Sequence, residues 1–382
     1  MKYNKVPIFD LADWKNGLAF KQFAFSDNGK PIIKIAELKN GVSSQTSFTQ
    51  QEFDKSVYLT KGDLLFSWSG NPETSIDVFW YNLPDGWLNQ HIFKVTPKDG
   101  VNKVYLYYLL KYLKPEFTAI ASNKQTTGLG HVTVKDLKEL TISLPDLEHQ
   151  TQIGKYLNMI DQAIRTNQKI NDNLRQQAAA LFANFYNRAE TEVGFTEIIQ
   201  ILGGGTPKTG ESSYWNGNVP FFTPKDVGSP YTLATEKTIT EEGLAHCNSR
   251  LYPINTVFVT ARGTVGKVGL PGVPMAMNQS CYALVGKDTH QLLVYFYTLK
   301  AVDRLKHKAS GAVFDAITTR DFESEIIMKL SDDDEKAFLD VAQPIYQAVL
   351  SNSIENLELA ALRDSLLPKL MSGKIDVSAV QL

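Results

Sequence analysis

Val132-Thr133-Val134-Lys135-Asp136-Leu137 returns as Ile317-Thr318-Thr319-Arg320-Asp321-Phe322, at an offset of 185 residues. The same offset carries Ala163-Ile164-Arg165-Thr166-Asn167 onto Ala348-Val349-Leu350-Ser351-Asn352 without a gap. It then sets Asn171 on Asn356, Leu174 on Leu359, Leu181 on Leu366 and Phe185 on Leu370. A weaker echo upstream, at an offset of 189, places Pro31-Ile32-Ile33 on Pro220-Phe221-Phe222 and Asn89-Gln90 on Asn278-Gln279. The change of offset is a difference in loop length. A period this long is that of a duplicated module rather than a solenoid. The chain therefore reads domain–helix–domain–helix.

The downstream part of each copy is helical. Ile153, Leu157, Ile160, Ile164, Asn167, Asn171, Leu174, Ala178, Leu181 and Phe185 alternate spacings of four and three. That is the seam of a coiled coil. Phe338, Ala342, Ile345, Val349, Asn352, Asn356, Leu359, Arg363, Leu366 and Leu370 repeat the spacing. Pro344 is expected to limit how far the second helix runs unkinked toward its start. The seam asparagines Asn167, Asn171, Asn352 and Asn356 fall at matching places in both copies. A polar seam residue costs stability and fixes register. The alternative is two unrelated amphipathic helices, each packed on its own domain.

The globular parts read as α+β. Strand-like runs at Pro31–Ile35, Asp63–Ser67, Ile92–Thr96, Val257–Thr260 and Tyr282–Val285 are separated by Gly, Pro and Asn clusters. Helical stretches follow at Lys103–Leu113 and Gln291–Lys306. The expected organisation is a globular domain over residues 1–145, a long helix over 146–187, a second domain over 188–331, and a second long helix with a tail over 332–382. Packed antiparallel, two helices of this length make a spacer about 60 Å long with internal pseudo-two-fold symmetry.

The 382 residues carry a net charge of −2, which by itself argues mildly against nucleic acid. The distribution changes that. Residues 1–145 hold 17 Lys and no Arg against 14 acids, whereas residues 331–382 hold nine acids against four bases. The acidity sits in the C-terminal segment that opens with Asp332-Asp333-Asp334-Glu335, and the globular parts are positive or neutral. No apolar run reaches the length of a membrane span. The start of the chain has no apolar signal core, and two cysteines, Cys247 and Cys281, fit a reducing cytoplasm.

Several motifs stand in a fixed order. Gly203-Gly204-Gly205-Thr206-Pro207-Lys208 leads to Tyr214-Trp215 and Val219-Pro220-Phe221-Phe222. Arg262-Gly263-Thr264-Val265-Gly266-Lys267-Val268-Gly269 and Asn278-Gln279-Ser280 follow. In the first half stand Trp14-Lys15-Asn16-Gly17-Leu18-Ala19-Phe20-Lys21, Lys61-Gly62-Asp63-Leu64-Leu65 and Asn89-Gln90-His91. Ile142-Ser143-Leu144-Pro145 with Leu147-Glu148-His149-Gln150 precedes the first long helix, and Leu366-Leu367-Pro368-Lys369-Leu370-Met371-Ser372-Gly373-Lys374-Ile375 closes the second. Across essentially the whole chain this resembles the specificity subunits of type I restriction–modification systems. The resemblance implies two target recognition domains, each reading one half of a split double-stranded DNA site, with the paired helices setting the distance between halves. It implies no cofactor in this chain: two modification subunits would dock on the helices and methylate adenine with their own S-adenosylmethionine. A restriction subunit that translocates DNA would join them.

Residue chemistry nominates the contacts. Lys and Arg hold phosphates, and Asn, Gln and Arg make paired bonds to base edges. Arg262, Thr264 and Lys267 lie in a Gly-rich loop whose glycines also serve as turn residues. Asn278-Gln279 and Asn89-Gln90 precede strands, where they either read adenine or cap the strand. Tyr214 and Trp215 read as core; Trp68, flanked by Ser69 and Asn71, reads as facing DNA, as does neighbouring His91. Lys124, Thr126 and Thr127 occupy the same place as Lys308 and Ser310, a basic or polar stretch ending in Gly before the short strands expected at Val132 and Ile317. Lys21, Thr206, Lys208 and Thr209 complete the set.

Catalytic signatures are lacking. No Walker A sequence, Asn-Pro-Pro-aromatic tetrapeptide, metal-ligand histidine spacing or G-x-S-x-G elbow occurs. The competing classes are a protein-binding scaffold and an orphan or decoy copy that binds DNA without active partners.

Overall fold

The structure, a computed structural model, describes residues 3–21, 24–125, 128–228, 230–308 and 316–377. Its contacts group the chain into two compact units, one of Met1–Ala163 with Leu359–Leu382 and one of Ile164–Glu358. The fold is α+β, as the strand and helix patterns predict, and each unit takes a part of both long helices.

In the first unit, Ala12–Asn16, Ile92–Pro97, Leu64–Ser67 and Asp77–Trp80 form an antiparallel sheet in that order. A smaller sheet pairs Lys30–Ile33 in parallel with Gly86–Leu88. Tyr3–Pro7 and Thr141–Pro145 form an antiparallel ladder of their own. The second unit repeats each piece. Ile199–Gly203, Cys281–Gly286, Val257–Thr260 and Val268–Pro271 make the main sheet, with Tyr231–Thr232 added in parallel at its edge. Trp215–Phe222 pairs in parallel with Ala276–Met277, and Thr191–Gly194 pairs antiparallel with Ile326–Lys329. Helices Lys103–Tyr112 and Gln291–Lys308 supply apolar faces to these sheets, through Leu106, Leu109 and Leu110 in one unit and Leu293, Phe296 and Val302 in the other.

The repeated hexapeptide that reads as strand-like is a helix start. Thr133 caps Val134–Glu139, and its N–H and hydroxyl both donate to Asp136, at 2.7 and 2.6 Å. Thr318 caps Thr319–Glu323 with the same two bonds to Asp321, both at 2.7 Å. In each Thr-x-x-Asp pair the carboxylate accepts both the N–H and the O–H of the capping residue at a helix start. Val132, Leu137, Ile317 and Phe322 are buried on either side of the cap. The sequence repeat is thus a capping box with an apolar residue before and after it.

The first long helix spans Leu147–Arg188 and the second Asp332–Met371. The second runs through Pro344 from an acidic first turn, where negative charge suits the exposed N–H groups. Buried Phe338 and Ala342 anchor the turn that the proline deprives of a hydrogen bond. Every residue of both seams is buried or half-buried. In the second unit the helices are antiparallel: Asn167 donates to Glu355 at 2.9 Å, Asn352 to Asn171 at 2.8 Å, and Asn171 to the Val349 carbonyl at 3.2 Å. In the first unit they meet through Ile153, Leu157, Leu366 and Leu370, and Arg363 donates to Asp161 at 2.8 Å. The asparagine symmetry of the sequence is not carried into the bonds. Asn171 and Asn352 pair, whereas the Asn356 Oδ1 is buried with no partner among the described residues.

Candidate nucleic-acid interface

Asn89 and Asn278 are set by the same backbone frame. The Asn89 N–H donates to the Ile33 carbonyl at 3.1 Å and the Asn278 N–H to the Phe222 carbonyl at 3.0 Å. Their own carbonyls accept from Ile92 and Cys281, each at 3.3 Å, which starts the following strand. Glycine is required opposite both. A Cβ at Gly17 would sit 2.2 Å from the Asn89 carbonyl oxygen, and one at Gly204 would sit 2.1 Å from that of Asn278. The backbone role is therefore structural in both halves. The side chains differ: Asn278 Oδ1 accepts the Ser280 N–H at 3.0 Å, while Gln279 is exposed and accepts from Thr206. Gln90 is half-buried with its amide 3.1 Å from the His91 ring.

In the second unit, Thr223, Lys225, Lys237, Arg262, Thr264, Asn278 and Ser280 line an open cleft of about 470 Å³. Arg262 and Gly263 follow the strand Val257–Thr260, and Gly263 and Gly266 turn the loop with φ of 81° and 73°. Thr264 Oγ1 donates to the Pro224 carbonyl at 3.2 Å, which ties this loop to the one beginning at Thr223. Arg262 and Lys267 are exposed, and neither has an ion-pair partner among the described residues. Lys225 stands 3.8 Å from Glu236, and Lys237 lies over the Trp215 ring at 5.8 Å. A cleft with these cations and hydroxyls suits a phosphate backbone beside a base edge. Lys208 and Thr209 are exposed beside it, and the Lys208 carbonyl accepts the Trp215 indole N–H at 3.2 Å. Trp215 is half-buried, packed edge-on against Phe221, and Tyr214 stacks on His246.

In the first unit, Trp68 is half-buried, stacked on Phe93 at 5.7 Å, with its indole N–H 3.0 Å from Asn16 Oδ1. The His91 and His131 rings lie 5.7 and 5.9 Å from it. Burial and the neighbouring His131 hold the His91 pKa below its ordinary value. Ser69 is turned inward, its hydroxyl 2.9 Å from His131 Nδ1. Asn71 caps the short helix Pro72–Ser75 by accepting from the Glu73 and Thr74 N–H groups.

Lys124 is bonded to the capping carboxylate Asp136, and Lys308 to Glu325, whose side chain is 1% exposed and also takes Arg304 at 2.9 Å. Lys21 is exposed, and Thr126, Thr127 and Ser310 lie outside the described residues. Sequence reasoning passed over Asn16, His131, Lys225 and Lys237. Two of these had a signal. His131 stands directly before the repeated hexapeptide, and Thr223-Pro224-Lys225-Asp226 is another Thr-x-x-Asp cap, placed just after the motif Val219–Phe222.

The sequence profile of the type I restriction modification DNA specificity domain matches residues 1–176 and 191–338. The putative type I restriction enzyme MjaX specificity subunit of Methanocaldococcus jannaschii is 23% identical over 399 residues, 95% of this chain and 91% of that one. The MjaIX specificity subunit of the same organism is 32% identical over 124 residues, 31% of this chain and 29% of its own length. The crystal structure of a type I restriction–modification S subunit from M. genitalium covers 97% of this chain and 96% of that one, at a TM-score of 0.59 and 16% identity, a likeness of fold.

Proposed function

The chain belongs to the type I restriction modification DNA specificity domain family, and from that premise we propose that it is a non-catalytic DNA reader whose two domains each bind one half of a split site. One observation carries this reading: the same frame is built twice, down to a glycine pressed on an asparagine carbonyl, yet it presents different side chains. A duplicated frame with unlike surfaces suits a bipartite, asymmetric target.

Phosphate contacts fall to Lys225, Lys237 and Lys267, and base contacts to Arg262 and Gln279 in the second domain and to Trp68, Gln90 and His91 in the first. Lys124 and Lys308 act as anchors of buried carboxylates. The antiparallel helices set the spacing of the half-sites and dock two modification subunits in the cytoplasm. Those subunits bring S-adenosylmethionine, and a restriction subunit completes the assembly. The near-neutral charge assigns much of the affinity to these partners and the specificity to this chain.

The test is footprinting of the complex with its modification subunits on genomic DNA fragments. Two short protected elements at a constant spacing, weakened by salt, are expected. A single contiguous element, or no preference among sequences, overturns the reading.

A further inference from the structure

One antiparallel bridge is built at the same place in both units. The Val132 N–H donates to the Trp68 carbonyl at 2.8 Å, and the Ile317 N–H to the Ala261 carbonyl at 2.9 Å. These bonds make Trp68 equivalent to Ala261, and therefore Ser69 to Arg262. Ser69 pairs across the bridge with His131, and Arg262 with Ala316. The glycine that follows has positive φ in both, 128° at Gly70 and 81° at Gly263. The second unit thus sets a long basic side chain opposite a methyl. The first unit sets a small hydroxyl opposite an imidazole. The polar group has changed strands while the frame has stayed.

We propose that His131 is a specificity-determining residue of the first domain, doing from the facing strand what Arg262 does in the second. Its Nδ1 is held by Ser69, which fixes the ring and leaves Nε2 for an outside partner. The Trp68 ring lies 5.9 Å from the His131 ring and 5.7 Å from that of His91. An imidazole nitrogen so placed bonds a single atom of a base edge, whereas a guanidinium bonds two. The ligand is one base pair of the first half-site, read in the groove of duplex DNA. This rests on the proposed DNA-reading function.

The experiment measures binding of the full-length chain, with its modification subunits, to the footprinted duplex and to duplexes changed at each base pair in turn. Wild type is expected to lose roughly ten-fold or more at each read position. His131→Ala should abolish that loss at one position of the first half and leave the second half as it was; Arg262→Ala should do the converse. His131→Gln, which keeps a side-chain donor and acceptor, should restore part of the discrimination. If His131→Ala weakens all duplexes alike, or keeps the full wild-type profile, the assignment is wrong. A wild-type complex with no split preference overturns the DNA-reading function itself, and the assignment with it.

Discussion

At the level of single residues, exposure and pairing separate the cations that a charge count lumps together. Arg262 is exposed with no ion-pair partner among the described residues, so its removal costs the fold little. Arg262→Ala is expected to reduce affinity for the duplex roughly ten-fold while the melting temperature holds; titration and a thermal melt of the same preparation read both. Lys308 is the opposite case. Its loss leaves the buried Glu325 carboxylate with Arg304 alone. Lys308→Ala should cost about 1–3 kcal/mol of stability, read by denaturant unfolding, with affinity for folded protein unchanged. Sequence alone put Lys124 and Lys308 beside Arg262 as DNA contacts. It marked the cations, but the buried acids that hold them, Asp136 and Glu325, lie 12 and 17 residues away. Pairing at that distance is set by tertiary structure.

At the level of elements, the sequence was legible where a pattern is local. The four–three spacing of the seam placed both helices, and the repeated hexapeptide located the junction between domain and helix. What it hid was the kind of structure there, since a Thr-x-x-Asp cap between apolar residues reads like a short strand. The polar seam was also half visible. Four asparagines were apparent, but which of them bond depends on side-chain placement across the seam: Asn352 reaches Asn171, and Asn167 takes Glu355 instead. Replacing both Asn171 and Asn352 by leucine is therefore expected to keep or raise stability and to loosen register. Crosslinking between cysteines placed along the two helices would report slippage, and an unchanged crosslinking pattern would deny the register role. Helix Gln291–Lys308 adds a titration. The Leu292 N–H donates to His290 Nδ1 at 3.2 Å, a bond that only the unprotonated nitrogen of a neutral ring can accept, and His290 Nε2 lies 2.6 Å from the Gln343 side-chain nitrogen. Burial lowers its pKa from 6.5. The folded form then binds fewer protons than the unfolded chain, so stability falls as pH drops below about 6.5. His290→Asn, a cap that does not titrate, should flatten that fall in a melting-temperature profile across pH 7 to 5.

At the scale of the whole molecule, the charge distribution and the duplicated frame make one expectation. Affinity should fall linearly in log salt, and removing Lys225 or Lys237 should lower that slope by about one each without altering which bases are preferred. Equal slopes for wild type and variants would take these lysines off the backbone.

The two units differ in one further respect. The second is continuous along the chain from Ile164 to Glu358, whereas the first must recruit Leu359–Leu382 to cover Ile153 and Leu157 with Leu366 and Leu370. A ribosome delivers these pieces in order, and long-range closure is slow. The domain translated first is therefore finished last. It waits with an open apolar face while the later domain closes, which makes the early half the one exposed to proteases and chaperones during synthesis.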